Sequence, residues 1–137
     1  MSFLIDTCAL SELVKPKPSK NVCDWFDAAS PEALFVSVLT LGEIRKGVEK
    51  LEGGRRRARI VTWLETALPA WFEDRVLPVD AGVADEWGRL MARLPRPIPA
   101  IDSLIAATAI RHCLAIVTRN ESDFATAGVD VLNPWNS

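Results

Sequence analysis

The sequence contains one histidine, His112, and three cysteines, Cys8, Cys23 and Cys113, set far apart. No zinc site of close Cys or His pairs can be assembled from these residues, and an odd, scattered set of cysteines gives no disulfide framework. Reducing, cytoplasmic surroundings are therefore expected. No apolar run approaches the roughly 18 residues of a membrane span, so no membrane association is expected. The opening residues Met1-Ser2-Phe3-Leu4-Ile5-Asp6 lack the basic start of a secretory signal and meet an acid early. An excess of positive charge is missing too. Sixteen Lys and Arg against 18 Asp and Glu leave a net charge of −2, whereas a protein that held nucleic acid chiefly by neutralising phosphates would be basic. This last exclusion is weak. With four acids set aside around a metal ion the remainder is net positive, and Arg55, Arg56, Arg57 and Arg59 form a local basic cluster.

The 137 residues are 49% hydrophobic and 25% charged, the usual mix for a globular protein. A chain of this size buries roughly two thirds of its unfolded surface, so residues 1–137 read as one domain that needs no crosslinks. Phe3-Leu4-Ile5, Leu34-Phe35-Val36, Val76 to Val79, Ala115-Ile116-Val117 and Val129 to Leu132 are short apolar runs that read as five strands. Pro78 puts the third at an edge. Helices are expected from Ser11 to Lys15, from a Ser19 cap to Ser30-Pro31, and from Val38 to Leu51, where Gly53-Gly54 breaks the pattern. In the next helix Ile60, Trp63, Leu64, Ala67, Leu68 and Trp71 form an apolar face that Pro69 should kink or divide. Asp80 caps a helix running to Leu94. Arg93 to Pro99 holds three prolines in seven residues and reads as an irregular connector. Ile101 to Cys113, apolar on nearly every side, reads as a buried helix. Short strands alternating with helices give an α/β fold, a parallel sheet covered on both faces.

Ligands bind such sheets beyond the carboxyl ends of the strands. Asp6 follows the first strand, and Thr118, Asn120 and Asp123 follow the fourth. Glu43 lies early in the helix after the second strand, and Asp102 in the first turn of the buried helix. Taken singly, Asp102 reads better as a helix N-cap and Asp123 better as a turn residue, while Glu43 reads equally as half of a surface ion pair with Lys46. Asp6 differs, because a carboxylate closing a buried central strand needs a partner. Together the four acids would raise one another's pKa unless a cation neutralised them. Oxygen ligation without His or Cys selects a hard ion, Mg2+ or Mn2+. Metal-assisted phosphodiester hydrolysis is the reaction class that follows.

Leu4-Ile5-Asp6-Thr7, Leu41-Gly42-Glu43-Ile44-Arg45-Lys46-Gly47-Val48, Ile101-Asp102-Ser103-Leu104-Ile105-Ala106-Ala107-Thr108-Ala109 and Thr118-Arg119-Asn120 with Asp123-Phe124 together resemble the PIN-domain ribonucleases. More narrowly they are similar to the VapC-type toxins of toxin–antitoxin pairs, and Asn133-Pro134-Trp135 resembles the FitB-like branch. The resemblance implies a five-stranded parallel sheet of order 3-2-1-4-5 and Mg2+- or Mn2+-dependent endoribonuclease activity. It maps the acidic quartet onto Asp6, Glu43, Asp102 and Asp123, with the Thr118 hydroxyl in support. It further implies a homodimer, an RNA substrate, and a cognate antitoxin through which operator DNA is reached.

Other residues read more plainly. Cys8, where relatives often carry Asn, reads as a small packing residue whose thiol pKa the nearby carboxylates raise. His112 reads as a core or rim hydrogen-bonder. The tryptophans fall mostly at core spacing, some of them suited to an interface. Arg45 and Arg119 are the arginines nearest the acids in sequence, and an antitoxin guanidinium is expected to take the metal's place. Two rival functions compete with this one. A receiver domain needs paired acids after the first strand and a late lysine, whereas Thr7 follows Asp6 and no lysine lies beyond Lys50. A non-catalytic PIN-fold module, acting only through an antitoxin and operator DNA, remains the alternative.

Overall fold

The structure, a computed structural model, describes residues 1–136. Phe3–Ile5 (β1), Leu34–Ser37 (β2), Val76–Leu77 (β3), Ala115–Val117 (β4) and Val131–Leu132 (β5) pair in parallel in the order β3-β2-β1-β4-β5. Leu4 lies between Phe35 and Ile116, which makes β1 the centre of the sheet. β3 is an edge strand, as Pro78 leads one to expect, and it stops at Leu77 because proline has no N–H to extend the ladder. β5 starts at Val131, later than expected from Val129. Gly128 turns with a positive φ of 80°, and the Val129 N–H is taken by the Phe124 carbonyl at 3.1 Å, which closes the preceding helix.

The connecting helices are Thr7–Glu12 (α1), Lys20–Ala28 (α2), Val38–Glu49 (α3), Arg55–Thr62 (α4), Leu68–Phe72 (α5), Ala81–Arg93 (α6), Ala100–His112 (α7) and Glu121–Thr126 (α8). Ser19 caps α2, Ser37 caps α3 and Asp80 caps α6, each side-chain oxygen accepting a backbone N–H of the first turn. α1 begins at Thr7 rather than Ser11. Asp6 is its cap, with Oδ1 accepting from the Thr7 N–H at 2.9 Å, so the helix starts directly off the end of β1. Among the described residues no helix is long and apolar enough to cross a membrane.

α4 and α5 are joined by a π-helical turn over Trp63–Ala67, where the Leu68 N–H reaches the Trp63 carbonyl. Pro69 divides the helix as expected. It offers no N–H, and its ring would press on the Glu65 carbonyl in a regular α-turn, so the wider turn relieves the clash. The extra width also shifts the buried face. Ile60, Leu64, Leu68 and Phe72 stay inside at a constant spacing of four, whereas a 3.6-residue period would have brought Trp71 in. Trp71 is instead 41% exposed and Phe72 fully buried, which corrects the expected apolar face; Ala67 also lies outside.

Side chains alternate across the central strands. Leu4 and Ile116 join a core with Leu90 of α6, Ile105, Ala106 and Ala109 of α7 and Phe124 of α8. Ile5 and Val117 join the other, with Leu10, Leu34, Val36, Ile44, Leu64 and Phe72. The small side chains of α7 let its backbone lie close against its neighbours, and the helix is buried as expected through its middle but not at its ends, where Ile101 in the first turn and Arg111 and His112 in the last are exposed. Two apolar layers thus clamp the strands and hold their carboxyl ends in register.

The phase shift makes a paired prediction. Phe72→Ala should cost about 3–5 kcal/mol, the usual penalty for emptying a buried aromatic site. Trp71→Ala, one residue away, should cost under about 1 kcal/mol. Urea unfolding of the two variants measures both, and equal losses would contradict the phase argument.

Candidate active site

Asp6 ends the central strand, its N–H donating to the Val117 carbonyl at 3.0 Å. Its side chain is 6% exposed and is held at both oxygens. Oδ1 caps α1, and Oδ2 accepts from the Thr118 hydroxyl at 2.7 Å. Thr118 is itself fixed beyond β4, its N–H on the Leu132 carbonyl and its Oγ1 accepting from the Asn120 N–H. The polar ends of β1 and β4 are thereby tied together.

The other acids arrive on helices. Glu43, in the second turn of α3, accepts at Oε1 from the Thr7 hydroxyl at 2.5 Å. Its expected partner Lys46 forms no ion pair with it among the described residues, so the surface-pair reading gives way to one facing α1. Asp102 is the third residue of α7 and not its cap, which is Pro99. Asp123 is the third residue of α8 rather than part of a free turn. The Asn120 side-chain amide bridges these two, its Nδ2 lying 3.2 Å from Asp102 Oδ2 and 3.2 Å from Asp123 Oδ2.

The electrostatics place all four acids in one field. The Asp102 carboxyl is pushed up to about 6, first by burial and then by the charges of Asp6, Glu43 and Asp123. Asp123 goes the other way, lowered by the Asn120 amide and by Arg96. Burial and then the Asp6 charge push the Cys8 thiol up, as expected. Cys8 does more than fill space, because its Sγ lies 3.7 Å from Asp6 Oδ2 and 3.4 Å from the Thr118 hydroxyl and accepts from the Arg119 N–H.

The cations near the site are not those expected. Arg45 is spent on Glu65 and Glu49, and the Arg119 guanidinium lies 4.4 Å over the Trp135 ring. Among the described residues Arg96, from the proline-rich connector, is the cation that pairs with one of the four acids, with Nη1 on Asp123 Oδ1 at 3.0 Å. Sequence reasoning missed it, since nothing local links residues 96 and 123; its one signal is its place between Pro95 and Pro97. His112, expected in the core or at its rim, is exposed at the far end of α7, roughly 15 Å along the helix from Asp102 at 1.5 Å per residue.

The donor set is chemically suited to a hard divalent cation, being carboxylate and hydroxyl oxygen with no histidine and a thiol kept protonated. As placed, no three His, Cys, Asp or Glu side chains among the described residues are gathered closely enough to enclose an ion. The Asn120 amide stands between Asp102 and Asp123, and Asp123 is turned to Arg96.

A family model described as the PIN domain matches residues 3–129. The chain belongs to the PIN-domain family. This PIN domain is similar to the VapC ribonuclease Y4jK of Sinorhizobium fredii, 36% identical over 97% of each chain. It is similar also to the Toxin FitB of Neisseria gonorrhoeae, 35% identical over 98% of this chain and 99% of the other. The solved structure of FitAB bound to an IR36 DNA fragment superposes with a TM-score of 0.90 at 33% identity, covering 97% of this chain and 95% of that one.

The raised Asp102 carboxyl of this PIN domain gives stability an unusual pH dependence. Its proton is held to about 6 in the fold against 3.8 ordinarily, so this group's contribution falls as pH rises from about 4 to about 6 and stays unfavourable above. Asp102→Asn removes the penalty. With the carboxyl half open to solvent the screened gain is about 1 kcal/mol. Melting curves should show the variant above the parent at pH 7.5 and level with it at pH 4; equal melting at pH 7.5 would contradict the crowding of the acids.

Proposed function

We propose that this PIN domain is a Mg2+- or Mn2+-dependent endoribonuclease and the toxin of a toxin–antitoxin pair. What supports the reading is that four acids from four separate segments come to the carboxyl edge of the sheet, Asp102 and Asp123 sharing the Asn120 amide, and that burial and then the charges of Asp6, Glu43 and Asp123 push the Asp102 carboxyl up. A fold that holds four like charges together pays in stability for doing so, and a divalent cation is the species that reverses the cost. The family membership and the relatives named as a ribonuclease and a toxin support the nuclease and toxin parts of the reading.

Asp6, Glu43, Asp102 and Asp123 would hold the ion. When bound it supplies Lewis-acid character toward a phosphodiester and a lowered pKa for water. The chain's own residues supply order. Thr118 fixes the inner oxygen of Asp6, Thr7 steers Glu43 from the first turn of α1, and Asn120 sets the spacing of Asp102 and Asp123. Asp6 and Glu43 are thus oriented in advance, whereas Asp102 and Asp123 stand apart on the Asn120 amide and would have to draw in around an ion. The partners proposed are RNA as substrate, a cognate antitoxin, operator DNA through that antitoxin, and a second copy of the chain as homodimer.

The partner-free protein should cleave RNA with Mg2+ or Mn2+, lose activity in EDTA, and turn over poorly with Ca2+, which takes looser and higher coordination. Asp6→Asn should lower cleavage at least about a hundredfold, the scale lost with one charge-stabilising group. Its melting temperature should hold or rise, because one repelling charge is gone. Undiminished cleavage by a folded Asp6→Asn protein would overturn the assignment, and a wild-type protein that binds RNA without turnover under every metal tried would point to a non-catalytic module.

A further inference from the structure

Asp123 stands apart from the other acids because a guanidinium already holds it. Arg96 forks across the first turn of α8, Nη1 donating to Asp123 Oδ1 and Nη2 to the Ser122 hydroxyl, each at 3.0 Å. The arginine is not a freely wandering surface side chain. Pro95 and Pro97 restrict the backbone on either side of it, and the buried Ile98 anchors the connector in the core beside α7. The second Asp123 oxygen accepts from Asn120, so both are committed while the four acids remain too spread to enclose an ion.

We propose that Arg96 is a positioning residue that holds Asp123 at the rim of the site and competes with the divalent cation for that carboxylate. Loading the site then requires the Arg96–Asp123 bridge to open, and the connector becomes coupled to metal occupancy. A fork of this kind is specific for arginine, since a lysine ammonium would pair with Asp123 as a point charge without spanning to Ser122. The inference rests on the nuclease reading above and concerns how the site is loaded.

Calorimetric titration of Mn2+ into the partner-free protein tests it without using activity. Arg96→Ala should bind Mn2+ about two- to fivefold more tightly than the parent, the range that releasing a partly exposed ion pair allows, and Arg96→Lys should fall between. A melting curve without metal accompanies each titration. If Arg96 merely braces the connector, Arg96→Ala melts lower with Mn2+ affinity unchanged, and the proposal is overturned. Weaker binding by Arg96→Ala overturns it as well, because Arg96 would then be helping to orient Asp123 for the ion. In either case a parent that binds Mn2+ leaves the nuclease reading standing; a parent that binds none at all removes both.

Discussion

The Asp6 carboxylate, at the end of the central strand, is the point on which the rest of the arrangement turns. One oxygen starts α1 and the other takes the Thr118 hydroxyl at 2.7 Å, so a single side chain joins β1, α1 and β4 at the open edge of the sheet. Burial makes that charge expensive unless it is met by donors, and the donors it uses are the elements that carry the remaining polar residues. Thr7, first residue of the helix Asp6 caps, orients Glu43; Thr118, which Asp6 holds, receives the Asn120 N–H, and the Asn120 amide spaces Asp102 and Asp123. Satisfying one buried carboxylate thus positions the other three.

Repulsion sets the second constraint. The four acids are not equivalent, because each meets a different local supply of hydrogen-bond donors. Asp123 has Asn120 and Arg96 and is lowered, while Asp102 has one amide contact and three negative neighbours and rises to about 6. Such divergence within one cluster is characteristic of sites whose charge is meant to be met by something else. It also explains why the two hydrophobic layers matter to function. Leu4 and Ile116 on one side and Ile5 and Val117 on the other join the Asp6–Thr118 hydrogen bond in opposing the spreading of the strand ends.

The five strands were legible because each is an apolar run cut off by proline, glycine or a polar residue, and strand periodicity is a local property. The caps at Ser19 and Asp80 were legible for the same reason. The acids were visible as residues that follow strands or open helices, and their shared field is a consequence of parallel topology. Features that leave no trace in the apolar periodicity were not legible. α1 starts at Thr7 because Asp6 turns back to cap it, while the polar spacing around Ser11 gave no sign of so early a start. The π-turn before Pro69 moved the buried aromatic from Trp71 to Phe72, a phase change that a fixed 3.6-residue period misses. Arg96 was hidden because an ion pair across 27 residues leaves no periodic trace, and Arg119, close in sequence, is drawn instead onto Trp135.

The central claim is that Asp6, Glu43, Asp102 and Asp123 form one cation-binding set. The most direct test is paramagnetic line broadening in the amide NMR spectrum on adding a small fraction of an equivalent of Mn2+. The account predicts the strongest broadening at the amides of Thr7, Cys8, Glu43, Asp102, Ser103, Asn120 and Asp123, with displacement by Mg2+. Strongest broadening at another acidic stretch, such as Asp85-Glu86 on α6, or loss confined to one of the four segments, would contradict it.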